Sequence, residues 1–422
     1  MTDYKQITEN YIKENAFCML KKASGVFRYP FVVPGTGYES DLWDWDSFWS
    51  SYALIDITEY FKGFKDFDYE TRRKQVEEHA KGNILNFLDR IETDGFIPGT
   101  VTSSGLFSDY FIKGHREGKT VNQCKPCLFA QALKIGETYG GFDWLDVEKL
   151  SKYLDYYKTE QFNSDSGLYF WKNDVMIGID NNPAVFGRPE CSTGDLFLNC
   201  FMYAELLAAY KVLSAVHSIK AETYKKQAEE LKNAIETLLY DEKDKFYYSA
   251  DLLVKDTSDS IFHKGMKPFW KVLPIKIKMW SGFLPAALGI CTSERAKASA
   301  LHCFDEDFIC SYGIRTLSKY EKMYNTESTS NPSNWLGPVW IVANYCAFKA
   351  LINAGEQELA SSMVEKTITL LGKDIEESGH MSESYIPETG EKMMHNGFLN
   401  WNCLVVSMMK EQGLKPGEPF KR

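Results

Sequence analysis

The feature that most restricts how this chain can fold is an alternation of two kinds of helical segment. Leu196–Ser214 is apolar nearly all round, which suits a helix buried on every side. In the next segment, 221–239, Tyr224, Ala228, Leu231, Ile235 and Leu238 recur at spacings of four, three, four and three, with Lys and Glu between them. That pattern is an outer helix with one buried stripe. The pair returns towards the C-terminus. Val339–Ile352 is apolar on most faces, and Gln357–Leu371 is amphipathic and runs to Gly372, a predicted C-cap. Phe398–Met409 is apolar again. Inner and outer helices alternating along the chain predict a toroid of two concentric helical rings. Long βα alternation is absent, which argues against a doubly wound sheet or a β/α barrel. No linker composition appears, so a single domain spanning 1–422 is expected.

Further helices are predicted over 6–22, 47–62 (capped by Asp46 or Ser47), 68–92, 126–139 and 144–157. Short aromatic pieces such as Phe246-Tyr-Tyr248 read as small β-hairpins between helices, and residues 100–122 read as loop. A net charge of −10 disfavours nucleic acid and anionic membranes as partners. The first residues carry no apolar signal core, and no uninterrupted apolar run reaches about 18 residues, so neither secretion nor a membrane span is expected. The cysteines sit in apolar segments without framework spacing, as buried reduced thiols of a cytoplasmic protein do. Cys124-Lys-Pro-Cys127 has no second pair to complete a zinc site, and the histidines are scattered, so no metal and no cofactor is expected.

Four loop-to-helix stretches carry the chemistry. Asp41-Leu-Trp43-Asp44-Trp45-Asp46-Ser47-Phe48-Trp49 packs three Trp and three Asp into nine residues, far from average usage. Gly178-Ile-Asp180-Asn-Asn-Pro183 cannot be regular helix or strand. An Asp in such a loop is ordinarily an Asx-turn residue. Asn334-Trp335-Leu-Gly337-Pro-Val-Trp340 leads into an inner helix. His380-Met-Ser-Glu383-Ser-Tyr385-Ile-Pro387-Glu-Thr-Gly390 is polar and turn-rich, with Phe398 and Trp401 downstream. Read alone, it is a solvated loop with an incidental Glu. In a helical toroid, however, loops on one rim converge on the central cavity. Asp180 and Glu383 would then meet among Trp43, Trp335 and Trp340. Indole rings stack on the apolar faces of a pyranose, and two carboxylates flanking a bond are the arrangement for glycosidic cleavage.

In these motifs the chain resembles glycoside hydrolase family 63 and its trehalase-like relatives, over about residues 38–408. Asp94-Gly-Phe-Ile-Pro98 and Gly313-Ile-Arg315-Thr-Leu-Ser add weaker echoes in the same order. The resemblance implies an all-α (α/α)6 barrel, or six-hairpin toroid, with small β-hairpins in its loops. It implies inverting hydrolysis, with Asp180 as general acid and Glu383 as general base. Asp46 matches a carboxylate that holds sugar hydroxyls and Trp43 a subsite wall. Gln123, Trp335 and Trp340 match other sugar contacts, and Gly337 and Tyr385 complete the candidate substrate-binding set. The acid should carry a pKa raised by burial, and Glu383 should stay ionised through hydrogen bonds. The implied substrate is a small α-glucoside or α-mannoside, with mannosyl- or glucosylglycerate included. In that case Lys113-Gly-His115-Arg116-Glu-Gly-Lys119 would clamp the glycerate carboxylate; such a run is more ordinarily a solvated surface loop. Leu336 stands where the family often has Arg, and Asn182 where Ser is commoner, so specificity does not carry over. A sugar epimerase on the same barrel would need His as acid and base, and His380 is the one His near these motifs. A non-catalytic sugar-binding relative would have no use for both carboxylates. Oligomeric state is not legible.

Overall fold

In a computed structural model, which describes residues 3–104, 106–254, 270–327 and 333–420, the two kinds of helix segregate as their patterns require. In chain order the helices are α1 (Tyr4–Asn15), α2 (Asp44–Tyr60), α3 (Tyr69–Leu88), α4 (Leu106–Arg116), α5 (Leu128–Tyr139), α6 (Val147–Glu160), α7 (Leu196–Ala215), α8 (Ala221–Leu238), α9 (Leu284–Ala287), α10 (Ser293–Leu301), α11 (Ile341–Asn353), α12 (Gln357–Ser378) and α13 (Leu404–Glu411). Those apolar on most faces form an inner ring in which α2, α5, α7, α9, α11 and α13 pack each on the next, and α13 closes back on α2. The striped helices lie outside: α3 on α2 and α5, α8 on α7, α10 on α9 and α11, α12 on α11, and α1 on α12. This is the six-hairpin toroid. α7 is long and apolar enough to cross a membrane by length and composition alone, but here it is an inner helix buried inside the ring.

The two ends of the chain meet. The buried Lys5 ammonium on α1 bonds Glu9 and the carbonyls of Lys415 (2.8 Å) and Glu418 (2.7 Å), and the Gly417 N–H donates to Glu9 Oε2 at 3.0 Å. α1 thus completes the outer ring, tied to the segment that follows the last inner helix. One hydrophobic cluster runs through both rings from Ile12 to Met409.

Several sequence expectations shift. Gly372 is not a C-cap: α12 continues to Ser378 and ends at Gly379, at φ +76°. Gly372 is needed for packing, because a Cβ there would lie 2.5 Å from Tyr4 Cβ. Residues 100–122 are not all loop. Thr100–Thr102 pairs with Asp41–Trp43, and α4 follows, with Phe111 and Ile112 buried beneath a cationic face. α9 and α10 went unread because α9 is four residues long after a 3-10 turn at Trp280–Phe283. The small hairpins are present, Tyr240–Asp241 with Phe246–Tyr247 among them. The cysteines are free, but Cys18 and Cys191 are exposed rather than buried.

Candidate active site

One rim of the toroid gathers the N-terminal ends of inner helices. Trp43, Trp45 and Asp46 stand at the start of α2, Lys125 precedes α5, Trp340 is the residue before α11, and Trp401 lies in the 3-10 turn before α13. All of them line one cavity of about 230 Å³, together with Tyr38, Met176, Gly178, Asp180, Ser333, Trp335, Glu383, Met394 and His395. That volume is below the ~300–1,000 Å³ of ordinary small-molecule sites and suits about one sugar ring. Its walls are indoles. Trp335 and Trp340 stack at 4.0 Å and 10°, and Trp45 sits 5.3 Å from Trp401 and 5.8 Å from Trp335.

Asp180 lies in a turn held from three sides. Gly178, at φ +89°, packs against Trp45 and the Lys125 stem. Asn181 Nδ2 donates to Asn334 Oδ1 at 3.0 Å, and Asn181 Oδ1 accepts from the Trp335 N–H at 2.8 Å, tying this turn to the Trp335 segment. Asn182, not Asp180, makes the Asx turn, accepting from the Ala184 N–H at 2.9 Å. Asn182 Nδ2 donates in turn to Asp195, the buried N-cap of α7. Asp180 is thereby left free of turn duty and opens onto the cavity. Burial raises its pKa, against a hydrogen bond from Ser333 and the charge of Lys125.

Glu383 is on a strand, not in a loop: Ser382–Tyr385 pairs with Lys392–Asn396. Residues two apart on a strand normally share a face, which would place Tyr385 beside Glu383. The register shifts between Ser382 and Ser384, however, and such a bulge re-aims side chains. Glu383 faces the cavity, while Tyr385 is fully buried behind it and donates to Asp374 Oδ2 at 3.0 Å. Tyr38 donates its hydroxyl to Glu383 Oε2 at 3.1 Å. Burial pushes the Glu383 carboxyl up to about 8; the charges of Asp46 and Asp180 add to this, and the Tyr38 bond opposes it. Asp46 accepts from Asn400 Nδ2 at 2.8 Å. It is pushed up to about 7 by burial, against Lys125 and with Asp44 and Asp180. Glu383 therefore departs from the expectation that hydrogen bonds keep it ionised, because one phenol does not offset burial beside two other carboxylates.

Of the sequence candidates, Trp43, Asp46, Asp180, Trp335, Trp340 and Glu383 come together on the cavity wall. Gln123, Gly337 and Tyr385 do not. Gln123 is fully buried and donates to the Tyr153 carbonyl at 3.1 Å. Gly337 serves a close approach: a Cβ there would lie 2.6 Å from the Tyr324 ring. The Lys113–Lys119 run is not a loop clamp but the end of α4 and the turn after it, off the cavity wall. Its polar side chains are paired: Arg116 with Glu92, His115 with Asp94, and Lys113 and Lys119 with Glu117. His380 is exposed and away from the cavity. Sequence reading missed Tyr38, Lys125, Met176, Ser333, Met394 and His395. Lys125 stood inside the lone CxxC and was passed over with it. The others carry no pattern of their own.

A ring-sized hollow walled by indoles, with three carboxylates able to hold, give or take protons, at one mouth of a six-hairpin toroid, defines a sugar-cleaving hydrolase. The chain belongs to the mannosylglycerate hydrolase MGH1-like glycoside hydrolase family, whose domain model matches residues 85–401, and so to the family 63 type of glycoside hydrolase. A probable mannosyl-oligosaccharide glucosidase of Schizosaccharomyces pombe is 31% identical over 183 residues, 41% of this chain. The match spans only 21% of that protein's length. Among solved structures, the family 63 mannosylglycerate hydrolase of Thermus thermophilus in complex with Tris and D-glycerate has a TM-score of 0.64 at 18% identity, covering 96% of this chain and 99% of that one. The neutral trehalase of Saccharomyces cerevisiae has a TM-score of 0.60 at 14% identity, covering 90% and 73%. At such identities these two speak for the fold.

Proposed function

We propose that this glycoside hydrolase cleaves a small α-glucoside or α-mannoside with inversion at the anomeric carbon. Asp180 gives its proton to the leaving oxygen, and Glu383 takes one from the attacking water. The observation that carries the reading is the convergence of Asp180 and Glu383, from a turn and a strand far apart in sequence, on one ring-sized cavity walled by tryptophans. Burial raises the pKa of Asp180, which a carboxyl needs if it is to arrive protonated. Asp46, gripped by Asn400, has acceptor oxygens left for sugar hydroxyls. Hydroxyl donors arriving with substrate favour the charged forms of Asp46 and Glu383, so binding itself readies the base.

The cavity holds about one ring, the sugar to be released, and the aglycone lies at its mouth. Mannosyl- and glucosylglycerate belong among the candidates through the family description and the glycerate complex of the Thermus relative. The test is a panel of α-linked disaccharides and α-glycosylglycerates incubated with pure protein, with the first-formed anomer read by NMR. Release of the β-sugar from an α-glycoside is expected; release of the α-sugar would overturn inversion. Asp180→Asn should lose about 10²–10⁴-fold on alkyl glycosides yet keep activity on the α-glycosyl fluoride of the sugar it cleaves, α-glucosyl or α-mannosyl, whose leaving group needs no proton. Glu383→Gln should lose both. The reverse pattern would exchange the two roles.

A further inference from the structure

Lys125 is a buried ammonium among acids, and the hydrolytic steps above make no use of it. Its side chain is 3% exposed, and Nζ lies 2.8 Å from Asp44 Oδ1. Nζ also donates to the Met176 carbonyl at 3.2 Å, and the Lys125 backbone N–H donates to Asp44 Oδ2 at 2.7 Å. One aspartate thus grips both ends of the same lysine. The stem between them runs beneath the turn that carries Asp180: a Cβ on Gly178 would come within 3.1 Å of Lys125 Cδ. Met176 and Gly178, the two residues it supports, lead directly into Asp180 and stand at positive φ, +62° and +89°.

Its charge matters as much as its shape. Asp46, Asp180 and Glu383 open onto one small cavity, and like charges at such range suppress one another's ionisation. The charged and titratable groups facing Lys125 are Asp44 and Asp46 from α2, Asp180 from the turn, and Cys124 and Cys127 from its own segment. Glu205 of α7 acts on the same two thiols.

We propose that Lys125 is the positioning residue of this site: its stem carries the turn that presents Asp180, and its ammonium, fixed by Asp44, sets the charge balance between Asp46 and Asp180. Consistent with this, Lys125 is the leading charge opposing the upward shift of Asp46, and it also opposes that of Asp180. Burial works against the ammonium, but Asp44 and Asp46 outweigh it and hold it firmly protonated.

The assignment of Asp180 as acid rests on the function proposed above, so the experiment needs a readout that does not. Two variants should move the site in opposite directions. Lys125→Met removes the cation. Asp44→Asn keeps the cation and removes its counter-ion. With ¹³C-aspartate-labelled protein, and Asp46→Asn and Asp180→Asn to assign the signals, the carboxyl titration midpoints of Asp46 and Asp180 should rise by about one pH unit in Lys125→Met and fall in Asp44→Asn. Lys125→Arg should leave them near wild type. In kcat/KM against pH, the limb that follows Asp180 should move up in Lys125→Met and down in Asp44→Asn. Midpoints that stay put, or move the same way in both variants, overturn the proposal even if activity is lost, since a merely structural lysine would do that. Wild-type protein inert towards both α-glucosyl and α-mannosyl fluoride would instead sink the hydrolytic reading and leave the titration result standing.

Discussion

At the scale of single residues the site is a competition between burial and the few groups that favour charge. Glu383 has one such group, the Tyr38 hydroxyl, and its carboxyl sits at about 8. A general base must be ionised, and kcat/KM reports the free enzyme. The acid limb of kcat/KM should therefore fall near pH 8, with activity dropping about tenfold per unit below it. Tyr38→Phe removes the bond that favours the carboxylate, so the limb should move to higher pH and activity at pH 7 should fall further. A limb left in place would show that Tyr38 serves substrate rather than Glu383. Much of this scale was legible in the sequence. Trp43, Asp46, Asp180 and Glu383 announce themselves by residue type and by the turns around them. What was not legible is side-chain direction. A bulge at Glu383 sends Tyr385 to the opposite side, and no residue type in Ser-Glu-Ser-Tyr encodes that bulge.

At the scale of elements, the inner helices put their N-termini at the cavity, where partial positive charge favours carboxylates. Most long helices were readable because they are either apolar nearly all round, as α7 is, or striped, as α8 is; α4 was read as loop. Helix ends were less readable: Gly372 resembles a cap and is a contact. Gly372→Ala should push α1 off α12 and cost about 1–3 kcal/mol in urea unfolding, leaving the cavity chemistry of folded protein unchanged. Glu205 offers a second test. From α7 it accepts the N–H groups of Phe129 and Ala130 at the start of α5 and the hydroxyl of Tyr153. Burial holds its carboxyl up at about 8, against those backbone bonds. Unfolded Glu titrates near 4.3, so between these values the folded state keeps a proton that unfolding releases. The contribution of Glu205 is fully present below about pH 4.3 and is lost as pH rises through 8. Glu205→Gln should flatten the fall in stability between pH 5 and 8. Glu205→Ala, which strands three donors, should cost about 3 kcal/mol or more. Equal melting curves for the two variants would place the stability of α5 elsewhere.

At the scale of the whole molecule, charge decides which aglycone the cavity welcomes. The chain carries a net −10. The cluster that looked like an anion clamp from sequence is spent on Glu92, Asp94 and Glu117, away from the cavity. Among the described residues, the cavity wall presents Asp46, Asp180 and Glu383 against Lys125, whose ammonium is already 2.8 Å from Asp44, and His395 at the mouth. Above about pH 8, where Asp46 and Glu383 carry their charges, a glycerate carboxylate entering that field meets like charge, whereas glycerol, the same skeleton with a hydroxymethyl group, does not. α-Glucosylglycerol should therefore have at least a tenfold higher kcat/KM than α-glucosylglycerate, about 1.4 kcal/mol in the transition state, and the mannosyl pair should follow the same order. The penalty is long-range, so salt should shrink the ratio as it screens the field, mainly by raising the glycerate rate. A glycerate glycoside cleaved as fast as its uncharged partner at low ionic strength would mean that a cation reaches the aglycone in the complex, with His395 the first residue to replace in looking for it.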